Sequence, residues 1–156
     1  MTILNIETST NICSVALSRD GKCLFSKINA EGMNHATMLS PFIAEALQAA
    51  ESLQLKLDAV AVSGGPGSYT GLRIGVSTAK GLAYGFNIPL IALSTLQIIT
   101  QMAVKTIDNP DKQSLFCAMI DARRMEVYAA FYNLEGNLVR AISADIIDEQ
   151  SYTELL

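Results

Sequence analysis

The rhythm of apolar and polar positions changes sharply across residues 57–86, and the other elements can be placed around that stretch. Residues 57–62 (LDAVAV) are almost wholly apolar, the pattern of a strand covered on both faces. Residues 63–70 carry Gly64, Gly65, Pro66 and Gly67 and cannot continue the strand. Residues 71–85 place Leu72, Ile74, Val76, Ala79, Leu82 and Ala83 at roughly helical spacing. The stretch predicts a buried strand, a glycine-rich loop and a small-residue helix.

On the N-terminal side, residues 3–7, 12–18 and 22–28 are short apolar runs. The polar cluster Thr8-Ser9-Thr10-Asn11 separates the first two, and Asp20-Gly21 turns the second into the third, so three antiparallel strands are expected. A polar loop at 31–34 leads into a helix over about 35–50. Its apolar stripe is Met38, Leu39, Phe42, Ile43, Ala46, Leu47 and Ala50. Pro41 leaves two starts open: Ser40 caps a helix beginning at Pro41, or Pro41 lies in the first turn of one beginning near Thr37. On the C-terminal side, residues 89–93 read as a strand, and Ser94 caps a helix over 95–105. The polar segment 106–112, with Asn109-Pro110, reads as a linker. Strands are expected at 115–121, 125–132 and 138–143, with a turn at 134–137, and a helix from near Asp148.

Residues 3–28 and 116–143 follow one plan. Each has an apolar strand ending in an acid (Glu7, Asp121), a second strand, a glycine-bearing turn (Gly21, Gly136) and a third strand. Two such copies joined by a linker describe an α/β protein of the actin-like ATPase superfamily, ribonuclease H-like and two-lobed. The expected lobes are residues 1–107 and 108–156, the second incomplete.

Half of the 156 residues are hydrophobic, enough for one well-packed core or two small lobes. No apolar run reaches the eighteen or so residues of a membrane span. Cys13, Cys23 and Cys117 are odd in number, form no C-x-x-C and lie in strand-like runs. Together with an N-terminus that lacks a basic leader, they suggest reduced thiols in a cytosolic protein. The net charge is −4, and the only adjacent cations are Arg123 and Arg124. Unaided binding of RNA or DNA is therefore not expected.

The glycine-rich loop invites a nucleotide reading. The Walker pattern fails, because Gly71 is followed by Leu72 and Arg73. G-x-G-x-x-G fails as well, because Thr70 stands where the third glycine belongs; a looser spacing ending at Gly71 survives, but no acid follows about twenty residues on, where a ribose partner belongs. The competing reading is a tight turn that brings the helix close to a neighbour. Gly71, Gly75 and Ala79 recur four apart, as do Ser77, Gly81 and Gly85. Each helical glycine costs about 1 kcal/mol relative to alanine, so close approach to another helix or chain is the expected compensation. His35 is the single histidine and reads as a surface or capping residue before the first helix, or as an interface contact. No G-x-S-x-G elbow presents a serine, so a serine hydrolase is not expected.

The segments Ile3-Leu4-Asn5-Ile6-Glu7-Thr8-Ser9 and Gly65-Pro66-Gly67-Ser68-Tyr69-Thr70-Gly71-Leu72-Arg73-Ile74-Gly75 resemble the TsaB family. That resemblance implies a non-catalytic partner of the TsaD enzyme, which makes N6-threonylcarbamoyladenosine at position 37 of tRNAs reading ANN codons. It also implies docking of the ATPase TsaE on the pair, a homodimer in isolation, and ATP or ADP only at the junction with TsaD. TsaD-type members hold a metal through two histidines on one helix. Four residues after His35 stands Leu39, so no such site is expected here. The implied partner contacts are His35, Met38, Gly71, Ile74, Gly75, Thr78 and Leu82, with Met33 nearby. Glu7, Thr8, Ser9, Gly65 and Gly67 are the nucleotide-proximal candidates. The alternative is a stand-alone actin-like ATPase or kinase domain that binds Mg-ATP.

Overall fold

A computed structural model describes residues 1–32 and 34–154. The first unit, Met1–Ser94, is built on β1 (Thr2–Glu7), β2 (Cys13–Arg19), β3 (Lys22–Asn29), α1 (His35–Ser52), β4 (Ala59–Ser63), α2 (Tyr69–Phe86) and β5 (Leu90–Leu93). Its sheet has the order β3-β2-β1-β4-β5. The first three strands form an antiparallel meander, and β4 and β5 run parallel to β1. This is the ribonuclease H-like arrangement of the actin-like class.

Alternation on β1 buries Thr2, Leu4 and Ile6, and on β2 it buries Cys13, Val15 and Leu17. All five residues of β4 are buried, residues 59–62 as their apolar run predicts and the polar Ser63 with them. The α1 stripe of Leu39, Phe42, Ile43, Ala46 and Ala50 packs on this face together with Ala79 and Ala83 of α2. α1 lies over β2 and β3, and α2 lies mainly over β4.

Pro41 sits neither at a cap nor in the first turn. α1 begins at His35 and carries Pro41 in its interior, on an exposed position. An interior proline costs roughly 3 kcal/mol. Five large or close-packed apolar contacts on the opposite face, at about 1.5–3 kcal/mol for each fully buried large side chain, outweigh it.

The second unit begins at Thr95 with α3 (Thr95–Thr106), followed by the antiparallel meander β6 (Leu115–Arg123), β7 (Glu126–Asn133) and β8 (Leu138–Ile146). Leu96 of α3 is buried against Ala118, Ala130 and Tyr132. The contacts therefore group α3 with the second sheet, whereas the sequence boundary at 107/108 falls after it. The helix expected from Asp148 is replaced by turns over 148–154. Asp148 Oδ1 accepts from Gln150 N and Ser151 Oγ, and Tyr152 has a left-handed backbone (φ 66°) that no helix continues through.

Candidate functional site

The parallel pairing Ile6↔Val62 sets the ends of β1 and β4 side by side, which brings Glu7 beside Ser63. Glu7 Oε1 accepts from Ser63 Oγ at 2.8 Å and from the Ser9 backbone N–H at 2.6 Å. The segment after β1 is thus tied to the strand that launches the glycine loop. On the loop side, the Ser68 N–H donates to the Ser9 carbonyl at 2.6 Å. Ser68 is also the N-cap of α2, its Oγ accepting from the Gly71 N–H at 3.3 Å.

Three glycines make this contact possible. A Cβ on Gly67 would overlap the Ser9 carbonyl oxygen, one on Gly71 the Thr8 carbonyl oxygen, and one on Gly75 the Thr8 Oγ1. Residues 8–9 therefore lie where side chains on these three glycines would be. Two of the backbone donors that would face an anion, Ser68 N–H and Gly71 N–H, already have partners. Gly65 adopts φ 103° at the turn out of β4, a conformation suited to glycine. Thr8 and Ser9 are buried, and their hydroxyl oxygens have no hydrogen-bond partner among the described residues.

The close approach inferred from the Gly71–Gly75–Ala79 spacing is therefore real, and at Gly71 and Gly75 it is made to Thr8 in the segment after β1. The nucleotide-proximal candidates Glu7, Thr8, Ser9, Gly65 and Gly67 are brought together by this junction. The partner-contact candidates are dispersed. Gly71 and Gly75 are buried against Thr8, while Met38, Ile74, Thr78 and Leu82 are half-buried, three of them packed on the first core. His35 is not a surface or capping residue. It is 4% exposed at the first position of α1, its Nε2 is without a partner among the described residues, and the N-cap is Asn34. Met33 lies outside the described residues.

The second small stripe of α2 received no site residue from the sequence, though its signal was the same four-residue spacing. Ser77, Gly81 and Gly85 are exposed, and a Cβ on either glycine would meet nothing within 4 Å among the described residues. Tyr69, Arg73 and Tyr84 share this outward side of the helix, with the Arg73 guanidinium 5.6 Å from the Tyr69 ring centre. At the far end of α2 a mostly apolar cavity of about 450 Å³ opens between Leu47, Leu55, Leu57, Phe86 and Ile88.

The second unit holds a polar cluster of its own. Asp145 receives Arg140 Nη1 at 2.6 Å and Nη2 at 3.0 Å, Tyr152 OH at 2.6 Å and Ser143 Oγ at 2.8 Å. The Arg140 hydrogen bonds foremost, then Tyr152, hold the Asp145 carboxyl far below the usual carboxylate range. Burial, then the Asp145 carboxylate, pushes the Tyr152 phenol up to about 12. The cluster ties the turns after β8 onto the sheet, where Tyr152 packs edge-on to Phe131. Among the described residues no three His, Cys, Asp or Glu side chains converge as a metal site. Nor is any helix long and apolar enough to cross a membrane.

Fold and junction together define a two-unit α/β protein of the actin-like class in which a glycine-rich strand-to-helix turn is packed against the segment that follows β1. Residues 29–154 match the family model for TsaD, tRNA N6-adenosine threonylcarbamoyltransferase. The chain is 37% identical over 141 residues to the tRNA threonylcarbamoyladenosine biosynthesis protein TsaB of Escherichia coli, covering 88% of this chain and 57% of that protein. It is 32% identical to TsaB of Bacillus subtilis, covering 93% and 61%. YeaZ from Pseudomonas aeruginosa superposes with a TM-score of 0.75 at 33% identity, covering 94% of this chain and 67% of that one. The chain belongs to the TsaB family, also called YeaZ. It spans about six tenths of the length of the two TsaB relatives.

Proposed function

We propose that this chain is a non-catalytic subunit that binds and activates a TsaD-type transferase, in the cytoplasm, during formation of N6-threonylcarbamoyladenosine at position 37 of tRNAs reading ANN codons. The observation that carries the reading is its kinship with TsaB proteins of tRNA threonylcarbamoyladenosine biosynthesis. The glycine loop favours it over a stand-alone Mg-ATP hydrolase, because it carries neither the Walker nor the G-x-G-x-x-G pattern and its Ser68 and Gly71 N–H groups already have partners. The outward stripe of α2 supports a docking role. Gly81 and Gly85 each cost about 1 kcal/mol in the helix, and among the described residues nothing lies within 4 Å of where their side chains would be. Close approach of a partner helix accounts for both. Met38, Ile74, Thr78 and Leu82 flank that approach, TsaE and a nucleotide join at the junction with the transferase, and a homodimer through the same helices is the form without it.

The test is size-exclusion chromatography with light scattering, with and without the TsaD-type protein of the same organism, comparing wild type with Gly81→Leu. A heterodimer for wild type and a folded, unpaired variant support the reading. A wild-type chain that ignores the transferase and binds Mg-ATP by itself overturns it in favour of the ATPase.

A further inference from the structure

The chain closes two hairpins with two-residue loops of the same backbone form. In the first, Arg19 pairs with Lys22 around Asp20-Gly21, with φ values of 50° and 79°. In the second, Arg123 pairs with Glu126 around Arg124-Met125, with φ values of 57° and 64°. Positive φ at both central positions is the mark of a type I′ turn, which Asn, Asp and Gly adopt with least strain. The first hairpin obeys that chemistry. The second departs from it at three successive residues, since Arg123 also has φ 67°.

Strain of this kind persists only where the surroundings enforce it, and it concentrates at functional sites. Here the β6–β7 pairing resumes at Arg123–Glu126 after a register shift between Asp121 and Arg123, and Asp121 Oδ1 accepts from the Arg123 N–H at 2.8 Å across that shift. Packing does not explain the residues: Met125 is 83% exposed, and Arg123 and Arg124 are exposed. Pairing does not explain them either. Among the described residues no ion pair or ring contact engages either guanidinium. An acidic chain thus holds its only adjacent cations, with an exposed thioether, on a strained tip that Asp-Gly would close with less strain.

We propose that the tip Arg123-Arg124-Met125 is a contact point for RNA, the two guanidiniums taking one or two backbone phosphates and Met125 lying on an adjoining sugar or base. A guanidinium offers a planar fork that fits phosphate oxygens, and methionine adapts to irregular apolar surface. Asp121 and Glu126 flank the tip and hold the contact to one or two phosphates rather than a charged track. This also agrees with an overall charge of −4, at which the chain does not hold RNA by itself at physiological salt. The choice of RNA over an acidic protein surface rests on the function proposed above.

The experiment measures binding of an unmodified tRNA transcript at several salt concentrations, by the complex assembled with the transferase and by the full chain alone at low salt. It compares wild type, R123Q/R124Q, R123K/R124K and Arg124→Gly. The slope of log affinity against log salt shrinks by about 0.7–0.9 for each phosphate contact removed. The glutamine pair is expected to lose one or two such steps and the lysine pair to keep them. Arg124→Gly is expected to lose one step while its thermal midpoint rises, because glycine relieves the left-handed backbone. A purely structural tip gains stability with no loss of slope, and that result overturns the proposal. So does a glutamine pair whose slope is unchanged, or one that loses only its protein partner, which marks the tip as a site for an acidic protein surface. A wild-type chain that fails to join the transferase but loses slope on substitution keeps this proposal and removes the previous one.

Discussion

Gly75 and Gly81 lie six residues apart on α2, and replacing each with alanine separates a filled contact from an empty one. Both substitutions carry the same intrinsic gain of about 0.8–1 kcal/mol in helix propensity. At Gly81 the new methyl meets nothing within 4 Å among the described residues, so that gain is expected in full. At Gly75 it overlaps Thr8 Oγ1 and lies 3.2 and 3.3 Å from Thr8 Cβ and Cγ2. Neither side can yield easily, because Thr8 is buried and held between Glu7, bonded to Ser63, and Ser9, bonded to Ser68. Forcing an extra methyl into a packed site costs typically 1–3 kcal/mol, so Gly75→Ala ends about 0–2 kcal/mol destabilised and the two variants differ by roughly 1–3 kcal/mol. Hydrogen exchange of the α2 and β1 amides under native conditions reads this difference in the first unit alone. Thr8→Ala removes both clashing branches. In that background Gly75→Ala is expected to recover at least about 1 kcal/mol of coupling in a double-mutant cycle. Gly75→Ala as stabilising as Gly81→Ala, or an absence of coupling with Thr8, refutes the filled-junction account.

Glu7→Ala leaves the Ser9 N–H and the buried Ser63 hydroxyl without an acceptor, at about 1–3 kcal/mol for each buried unsatisfied group, so its urea midpoint is expected to fall below that of Ser63→Ala. In the second unit, Asp145 has a folded pKa below its unfolded one, so its stabilisation is present above about pH 4 and lost as pH falls; Asp145→Asn is expected to flatten that acid limb in pH-dependent unfolding. Tyr152 has a folded pKa raised to about 12, so its stabilisation is present below about pH 10 and lost between about 10 and 12; Tyr152→Phe is expected to remove that alkaline limb.

Much of the first unit was legible in the residues themselves. Asp20-Gly21 between two apolar runs specifies a hairpin, five near-continuous apolar residues specify a strand buried on both faces, and small-residue periodicity over 71–85 specifies a helix. These signals act over a few residues, through turn chemistry and side-chain period, so a single sequence carries them. The paired plan of strand, acid, strand, turn and strand was legible for the same reason, and with it the class of fold.

What the glycines touch was not legible. Periodicity says that Gly71, Gly75 and Ala79 share a face, but the neighbour of that face is set by the parallel register of β1 on β4, between residues more than fifty apart in the chain. Only that register turns one small stripe onto Thr8 and leaves Gly81 and Gly85 open. The burial of His35 and the tolerance of Pro41 inside α1 depend likewise on how firmly one helix face is held by a sheet that local sequence does not contain. α3 joins the second sheet because Leu96 finds its cover on β6 and β7, downstream of the linker that the composition marks as a boundary. The residues decided which surfaces are apolar or small. Tertiary structure alone decided which of them meet inside the molecule and which remain turned outward, because that choice depends on contacts between segments far apart in the chain.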